Sequence, residues 1–226
     1  MGIVTMGIPH RIAIELAKAQ GCKTFIETGT FEGGTTRWAR KHFGTVHTIE
    51  LSEHYHGLYS AELEKIGGVH AHLGDSRKVL PGIVASLGDT PAIHWLDGHW
   101  SGGSTSGAAD QCPLMGELAC IAHRTQDVIL IDDARLFLST PQRPHDPGQW
   151  PSMVEIVTML TADGAKRAIQ VIDDVIFCVP KGGEAEQCLI DYAQERSAEA
   201  WIRYKREAQG HPAKALARKI LSKVRS

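Results

Sequence analysis

An α/β fold, with helices on both faces of a mostly parallel sheet, is what this sequence predicts, and three observations predict it. Short apolar runs alternate with stretches of helical periodicity along most of the chain. The runs at Thr24-Phe25-Ile26, Ala92–Leu96 and Val128–Ile131 are apolar rather than alternating, as strands covered on both faces are. Near the end, Ala168–Ile172 and Val175–Val179 flank Asp173-Asp174, a hairpin signal. Five strand–helix units followed by an antiparallel hairpin make a seven-stranded sheet.

Each element has its own reason. Pro9 opens a helix over His10–Gln20, where Ile12, Leu16 and Ala19 recur at helical spacing, and Gly21 closes it. Lys23–Glu27 is the first strand; a glycine turn and a helix from Gly34 to His42 follow. Thr45–Leu51 is the second strand, and Gly67-Gly68 stops the helix over Tyr55–Ile66. Val69–Leu73 ends in Gly74-Asp75-Ser76, after which Arg77–Leu87 is helical. Ala92–Leu96 ends in Asp97-Gly98-His99, and a Gly/Ser-rich loop, Ser101–Gly107, leads to a helix over Pro113–His123. Val128–Ile131 ends in Asp132-Asp133. The segment Pro141–Pro151 holds four prolines and is too long for a mere connection, so it reads as a lid or substrate loop before the helix Met153–Leu160.

With 226 residues, 42% of them hydrophobic, the chain can build one sizeable core. The expected division is a catalytic domain over 1–202 and a basic helical tail over 203–226. A formal charge of -2 leaves no global nucleic-acid footprint. The five cysteines are an odd number without a Cys-x-x-Cys pair, which points to free thiols in a reducing compartment. Cys112, Cys120 and His123 match no common zinc spacing and read as core-packing or surface residues. No run of 18 apolar residues occurs, and Met1–Met6 lacks a secretory or myristoylation pattern, so the chain reads as cytoplasmic.

The turn after the first strand carries the chemistry. Phe25-Ile26-Glu27-Thr28-Gly29-Thr30-Phe31-Glu32-Gly33-Gly34-Thr35-Thr36 joins a strand to a helix through a glycine turn. Such a turn lets a ligand approach the backbone amides of Thr28, Gly29, Thr30, Gly33, Gly34 and Thr35. Glu50, at the tip of the second strand, is placed to accept hydrogen bonds from a ribose diol. Phe31 stands where a dinucleotide-binding Gly-x-Gly-x-x-Gly would have its second glycine. Glu27 would repel a pyrophosphate but pair with an ammonium group. The pattern resembles motif I of class I S-adenosylmethionine-dependent methyltransferases, in its Glu-Thr-Gly-x-x-x-Gly-Gly form. That resemblance implies a Rossmann-like three-layer sandwich, S-adenosylmethionine as cofactor, and adenine contacts from Asp75 and Ser76.

Asp97, Asp132 and Asp133 each follow an apolar strand, and those two strands should be neighbours. Three carboxylates at one rim, next to the methyl donor, repel one another unless a cation resolves them, and oxygen ligands favour Mg²⁺. This arrangement resembles the metal-dependent O-methyltransferases of the catechol and macrocin types, in which the metal binds the acceptor hydroxyl and lowers its pKa. His99, two residues after Asp97, is a candidate general base, substrate partner or structural residue. Trp100 reads as a stacking platform or a cover for the crevice, and Arg135, Arg143 and His145 as contacts for an anionic group.

The leading expectation is a Mg²⁺-dependent O-methyltransferase acting on a hydroxyl of a small molecule, a sugar or a glycan precursor. Asp97 would serve cofactor, metal and acceptor together. The alternatives are a metal-independent methyltransferase with Asp97 or His99 as base, a non-catalytic adenosyl-binding module, and, more distantly, an NAD-type oxidoreductase. From Arg203 onward eight Lys or Arg face a single Glu, with Ala215, Leu216, Ile220, Leu221 and Val224 at helical spacing. This segment reads as a solvated tail, a contact in a homo-oligomer, or a helix that docks on an anionic membrane surface.

Overall fold

The structure, a computed structural model, describes residues 6–100 and 107–210. The Ser101–Ser106 part of the Gly/Ser-rich loop and the tail beyond Gly210, with Ala215 through Val224, lie outside the described residues. The chain divides into two compact units, 1–189 and 190–226.

The first unit holds the sheet. Its strands are β1 (Thr24–Thr28), β2 (Thr45–Glu50), β3 (Val69–Leu73), β4 (Ala92–Leu96), β5 (Val128–Ile131), β6 (Arg167–Ile172) and β7 (Val175–Pro180). They run in the order β3-β2-β1-β4-β5-β7-β6. The first five are parallel, and β7 pairs antiparallel with both β5 and β6. The seven-stranded sheet with its terminal hairpin is the expected one. The helices are α1 (His10–Gln20), α2 (Gly34–Ala39), α3 (Glu53–Glu64), α4 (Ser76–Ser86), α5 (Leu114–Ile121), α6 (Arg135–Leu138), α7 (Met153–Leu160) and α8 (Glu184–Gly210).

Local chemistry sets the ends. Ser52 caps α3 by accepting from Tyr55 N, and Asp75 caps α4 by accepting from Arg77 N. Ser152 and Glu155 form a reciprocal capping box on α7. Gly21 leaves α1 in the left-handed region, as expected of a C-terminal glycine. One apolar cluster fills one side of the sheet, with Leu118, Ile129, Ile131, Phe137, Trp150 and Ile156, and Cys112 and Cys120 packing against it. A smaller one joins Ile26 and Ile49 to Leu80 and Ile83 of α4.

Two elements depart from expectation. The short α6 directly after the Asp pair has no periodic signal of its own, because four residues are too few to show one. Helix α8 begins at Glu184, in a stretch for which the sequence reading names no element, and continues to Gly210. In the second unit, taken by itself, Trp201 and Tyr204 are exposed and stacked with ring centroids 5.4 Å apart. Among the described residues no helix is long and apolar enough to cross a membrane, and all five cysteines are free.

Candidate active site

The strand order changes direction between β1 and β4, and the crevice outside the carboxyl ends of such strands is the usual ligand site of an open α/β sheet. Here a cavity of about 900 Å³ opens, within the ~300–1,000 Å³ typical of small-molecule sites. Its wall includes Thr28, Gly29, Phe31, Glu50, Leu51, Tyr55, Asp75, Ser76, Asp97, His99, Asp132, Asp133 and Arg135. Residues from the tips of β1 to β5 therefore meet at one rim, as the sequence order implied.

Gly29 makes the crevice possible. Its φ is +85°, and a Cβ there would lie 2.3 Å from the Asp97 carbonyl oxygen. Only a glycine lets the exit of β1 pass so close to the exit of β4. Gly33 also has positive φ, +74°, and sits at the N-terminal cap of α2. Between them Phe31, at φ 48°, donates its N–H to Glu50 Oε2 at 2.8 Å. Glu50 Oε1 accepts from Ser52 N at 2.7 Å. Glu50 is thus fixed by two backbone amides, with carboxylate lone pairs left for a diol.

Glu27 is placed differently from the expectation that it meets an ammonium group in the crevice. It does not line the cavity. It is 2% exposed, and its Oε2 accepts from Thr36 Oγ1 at 2.5 Å and Thr48 Oγ1 at 2.8 Å. Thr48 in turn shares a 2.6 Å hydrogen bond with Thr30. Burial pushes the Glu27 pKa up to about 7, against the pull of the Thr36, Thr48 and Thr35 hydroxyls. Thr30, Gly33, Gly34 and Thr35 likewise stand outside the cavity wall, so these residues shape the turn from behind. The wall itself belongs to Thr28, Gly29 and Phe31.

Asp75 and Ser76 do line the cavity, but the Asp75 carboxylate is engaged. It accepts from Arg77 Nε at 2.9 Å and Nη2 at 2.8 Å, and hydrogen bonding to Arg77 holds its pKa down. Arg77 also pairs with Asp110 at 2.7 Å and so ties the loop before α5 to the tip of β3. Glu117, which no sequence signal singled out, is 1% exposed. Among the described residues its Oε1 has no hydrogen-bond partner. Burial raises its pKa, with the Ser76 and Thr28 hydroxyls pulling the other way. It sits under Gly98, where a Cβ would come within 3.2 Å of Oε1.

The acidic rim is built around His99. His99 Nε2 lies 2.9 Å from Asp133 Oδ2 and 4.0 Å from Asp97 Oδ1. Asp133 Oδ1 and the fully buried Asp174 both pair with Arg135. The Asp133 backbone, at φ 55°, donates its N–H to Asp132 Oδ1 at 2.8 Å. Burial disfavours the charged form of each acid. At Asp133 the hydrogen bond from His99, with help from Arg135, outweighs it and lowers the pKa. At Asp132 burial and the Asp133 charge raise the pKa to about 6. Asp97 is raised well above the carboxylate range by desolvation, with Asp132 and Asp133 adding to the rise and His99 opposing it. For His99 burial favours the neutral ring, yet Asp133 and Asp97 together raise its pKa and favour the imidazolium.

This geometry does not fit a three-carboxylate magnesium cage. Asp133 Oδ2 meets His99 Nε2 and Asp133 Oδ1 pairs with Arg135, while one oxygen of Asp132 accepts from a backbone amide. Asp97, Asp132 and Asp133 all line the cavity, with His99 and Arg135 among them.

Arg135, His145 and Trp100 are engaged within the fold, while Arg143 is exposed. Arg135 lines the cavity but is spent on Asp133 and Asp174. His145, 8% exposed, contacts the Gln142 and Trp100 carbonyls. Trp100 is absent from the wall and packs edge-on to His145 with ring centroids 5.5 Å apart. The proline-rich loop tucks Trp150 against His99 and Phe137, and its indole N–H donates to Gln111 Oε1 at 3.0 Å. That loop buttresses the back of His99.

No protein-family model and no curated protein matches the sequence. Solved structures do match the fold. A Podospora anserina methyltransferase bound to S-adenosylhomocysteine superposes with TM-score 0.52 at 16% identity, covering 79% of this chain and 80% of that one. A Bacillus cereus O-methyltransferase, also with S-adenosylhomocysteine, gives 0.51 at 17%, covering 78% and 83%. Human methyltransferase-like protein 13 with the same ligand gives 0.51 at 13%, covering 83% and 88%. The chain shares their fold. The antiparallel hairpin closing a parallel sheet, read from Asp173-Asp174, belongs to that fold.

Proposed function

We propose that this protein is an S-adenosylmethionine-dependent O-methyltransferase acting on a hydroxyl of a small molecule such as a sugar. The donor would lie across the Gly29 turn, its ribose on Glu50 and its adenine toward Asp75 and Ser76. The fold shared with S-adenosylhomocysteine complexes supports that donor.

The observation that carries the reading is Asp97. It stands at the β4 tip against the Gly29 turn, partly open to the cavity, with its pKa raised. A raised pKa makes the ionised carboxylate a stronger proton acceptor. As the acceptor oxygen attacks the methyl carbon, the C–S bond breaks and its electron pair neutralises the sulfonium. The hydroxyl proton passes to Asp97. His99, held by Asp133 and favouring its charged form, stabilises the carboxylate until that transfer. Magnesium at Asp97, Asp132 and Asp133 is the competing way to activate the hydroxyl, and the engaged oxygens of Asp133 speak against it.

The test is transfer of isotopic label from methyl-labelled S-adenosylmethionine to a panel of phenols, catechols and sugars. Asp97→Asn should lower turnover by about 10²–10⁴-fold while S-adenosylhomocysteine affinity stays near that of wild type. Chelator should leave turnover intact. Loss of turnover in EDTA, restored by Mg²⁺, would reinstate the metal reading. Cofactor binding without label transfer to any acceptor would favour a non-catalytic module.

A further inference from the structure

The free edge of the sheet carries a second group of side chains, none of which lines the cavity. His70 and His72 sit two residues apart on β3 and so project from the same face. His47 on β2 is the register partner of His70. All three share the face of Ile26 and Ile49, where α4 packs. The His47 ring stacks on both others, with centroids 4.9 Å from His70 and 5.3 Å from His72. His47 Nδ1 and His72 Nε2 are 3.1 Å apart.

We propose that His47, His70 and His72 form a binding site for a borderline transition-metal cation, Zn²⁺ foremost, that clamps β3 to β2. Two imidazole nitrogens bound tetrahedrally at about 2.0–2.1 Å from zinc lie about 3.3 Å from each other. The His47–His72 separation is already within a few tenths of an ångström of that. An all-imidazole set selects Zn²⁺, Cu²⁺ or Ni²⁺ over Mg²⁺ or Ca²⁺. A neutral imidazole offers one nitrogen lone pair to a metal, and binding through it needs that nitrogen free of its proton.

Two adjustments complete the site. One ring of the His47–His72 pair donates an N–H to the other, and that donor must move its proton to its other nitrogen. No proton is released overall, because both rings stay neutral. His70 must turn from stacking on His47 to supply the third nitrogen, since no three ligating atoms surround one point in the present rotamers of the described residues. As an exposed residue on an edge strand, it has room to do so. Water would take the fourth position.

The experiment is zinc titration of the full chain, free of any affinity tag, by calorimetry, with Co²⁺ absorption as a coordination readout. The expected result is one Zn²⁺ per chain, a raised Tm, and a cobalt spectrum of tetrahedral type. His70→Gln and His72→Gln should each weaken Zn²⁺ binding at least tenfold and abolish the Tm rise. Asp132→Asn, at the other site, should leave zinc affinity within twofold. His70 is exposed, so its variant folds and gives an interpretable result. Absence of zinc binding by the wild type, or wild-type affinity in His70→Gln and His72→Gln, would overturn the proposal.

Discussion

Glu27 makes the stability of the fold depend on pH in a direction that the structure fixes. It is buried at the end of β1 with three threonine hydroxyls around it and, among the described residues, no cationic partner. Its pKa stands at about 7 rather than 4.5, chiefly through desolvation. Between those values the folded protein holds a proton that the unfolded chain has already given up. The contribution of Glu27 to stability is therefore full below pH 4.5 and is lost as the pH rises to 7. At about 1.4 kcal/mol per pH unit, the loss over that interval is about 3 kcal/mol. Glu27→Gln removes the titration while its amide oxygen still accepts from Thr36 and Thr48. Urea unfolding of both proteins, without cofactor, at pH 5 and pH 8 reads the effect. The variant should gain about 2–3 kcal/mol on the wild type between the two pH values. A stability difference that stays constant, or moves the other way, would show that Glu27 is ionised in the fold at ordinary pH and refute the reasoning.

Two further substitutions separate site from scaffold. Gly29→Ala forces a Cβ to 2.3 Å from the Asp97 carbonyl and places alanine at φ +85°. It should cost about 1–3 kcal/mol of stability and abolish S-adenosylhomocysteine binding, whereas Gly34→Ala, with open space around it, should bind normally in the same calorimetric assay. Asp127 lies at the opposite end of the sheet, fully buried, 2.7 Å from both His94 Nε2 and Arg124 Nε. Asp127→Ala strands those partners and should cost about 3–5 kcal/mol in urea unfolding, with cofactor affinity per folded molecule unchanged.

The fold was legible because burial on both faces leaves a plain trace: the runs at Ala92–Leu96 and Val128–Ile131 are strands with the expected limits. The rim was legible because a parallel sheet sends every strand's carboxyl end to one side, so Glu50, Asp97, Asp132 and Asp133 converge whatever the helices do. The pairing within the rim was not legible. Whether Asp133 meets a metal, His99 or Arg135 depends on a left-handed backbone at Asp133 and on a four-residue helix that brings Arg135 round to Asp174. Neither leaves a periodic signal. Glu27 illustrates the same limit, because motif spacing puts it at the turn, while the hydroxyls of Thr36 and Thr48, from two other elements, decide which way it faces. Glu117 was invisible for a simpler reason: on the apolar stretch Leu114–Ile121 it reads as one polar residue of an amphipathic helix.

The central claim is that the Gly29 crevice takes an adenosyl donor with its ribose on Glu50. Calorimetric titration of S-adenosylhomocysteine into wild type and Glu50→Ala tests it most directly. The account predicts one saturable site in the wild type and affinity lowered by about 1–3 kcal/mol in the variant, the worth of charge-assisted hydrogen bonds to a carboxylate. Unchanged affinity in Glu50→Ala, or NAD binding as tightly as S-adenosylhomocysteine, would contradict it.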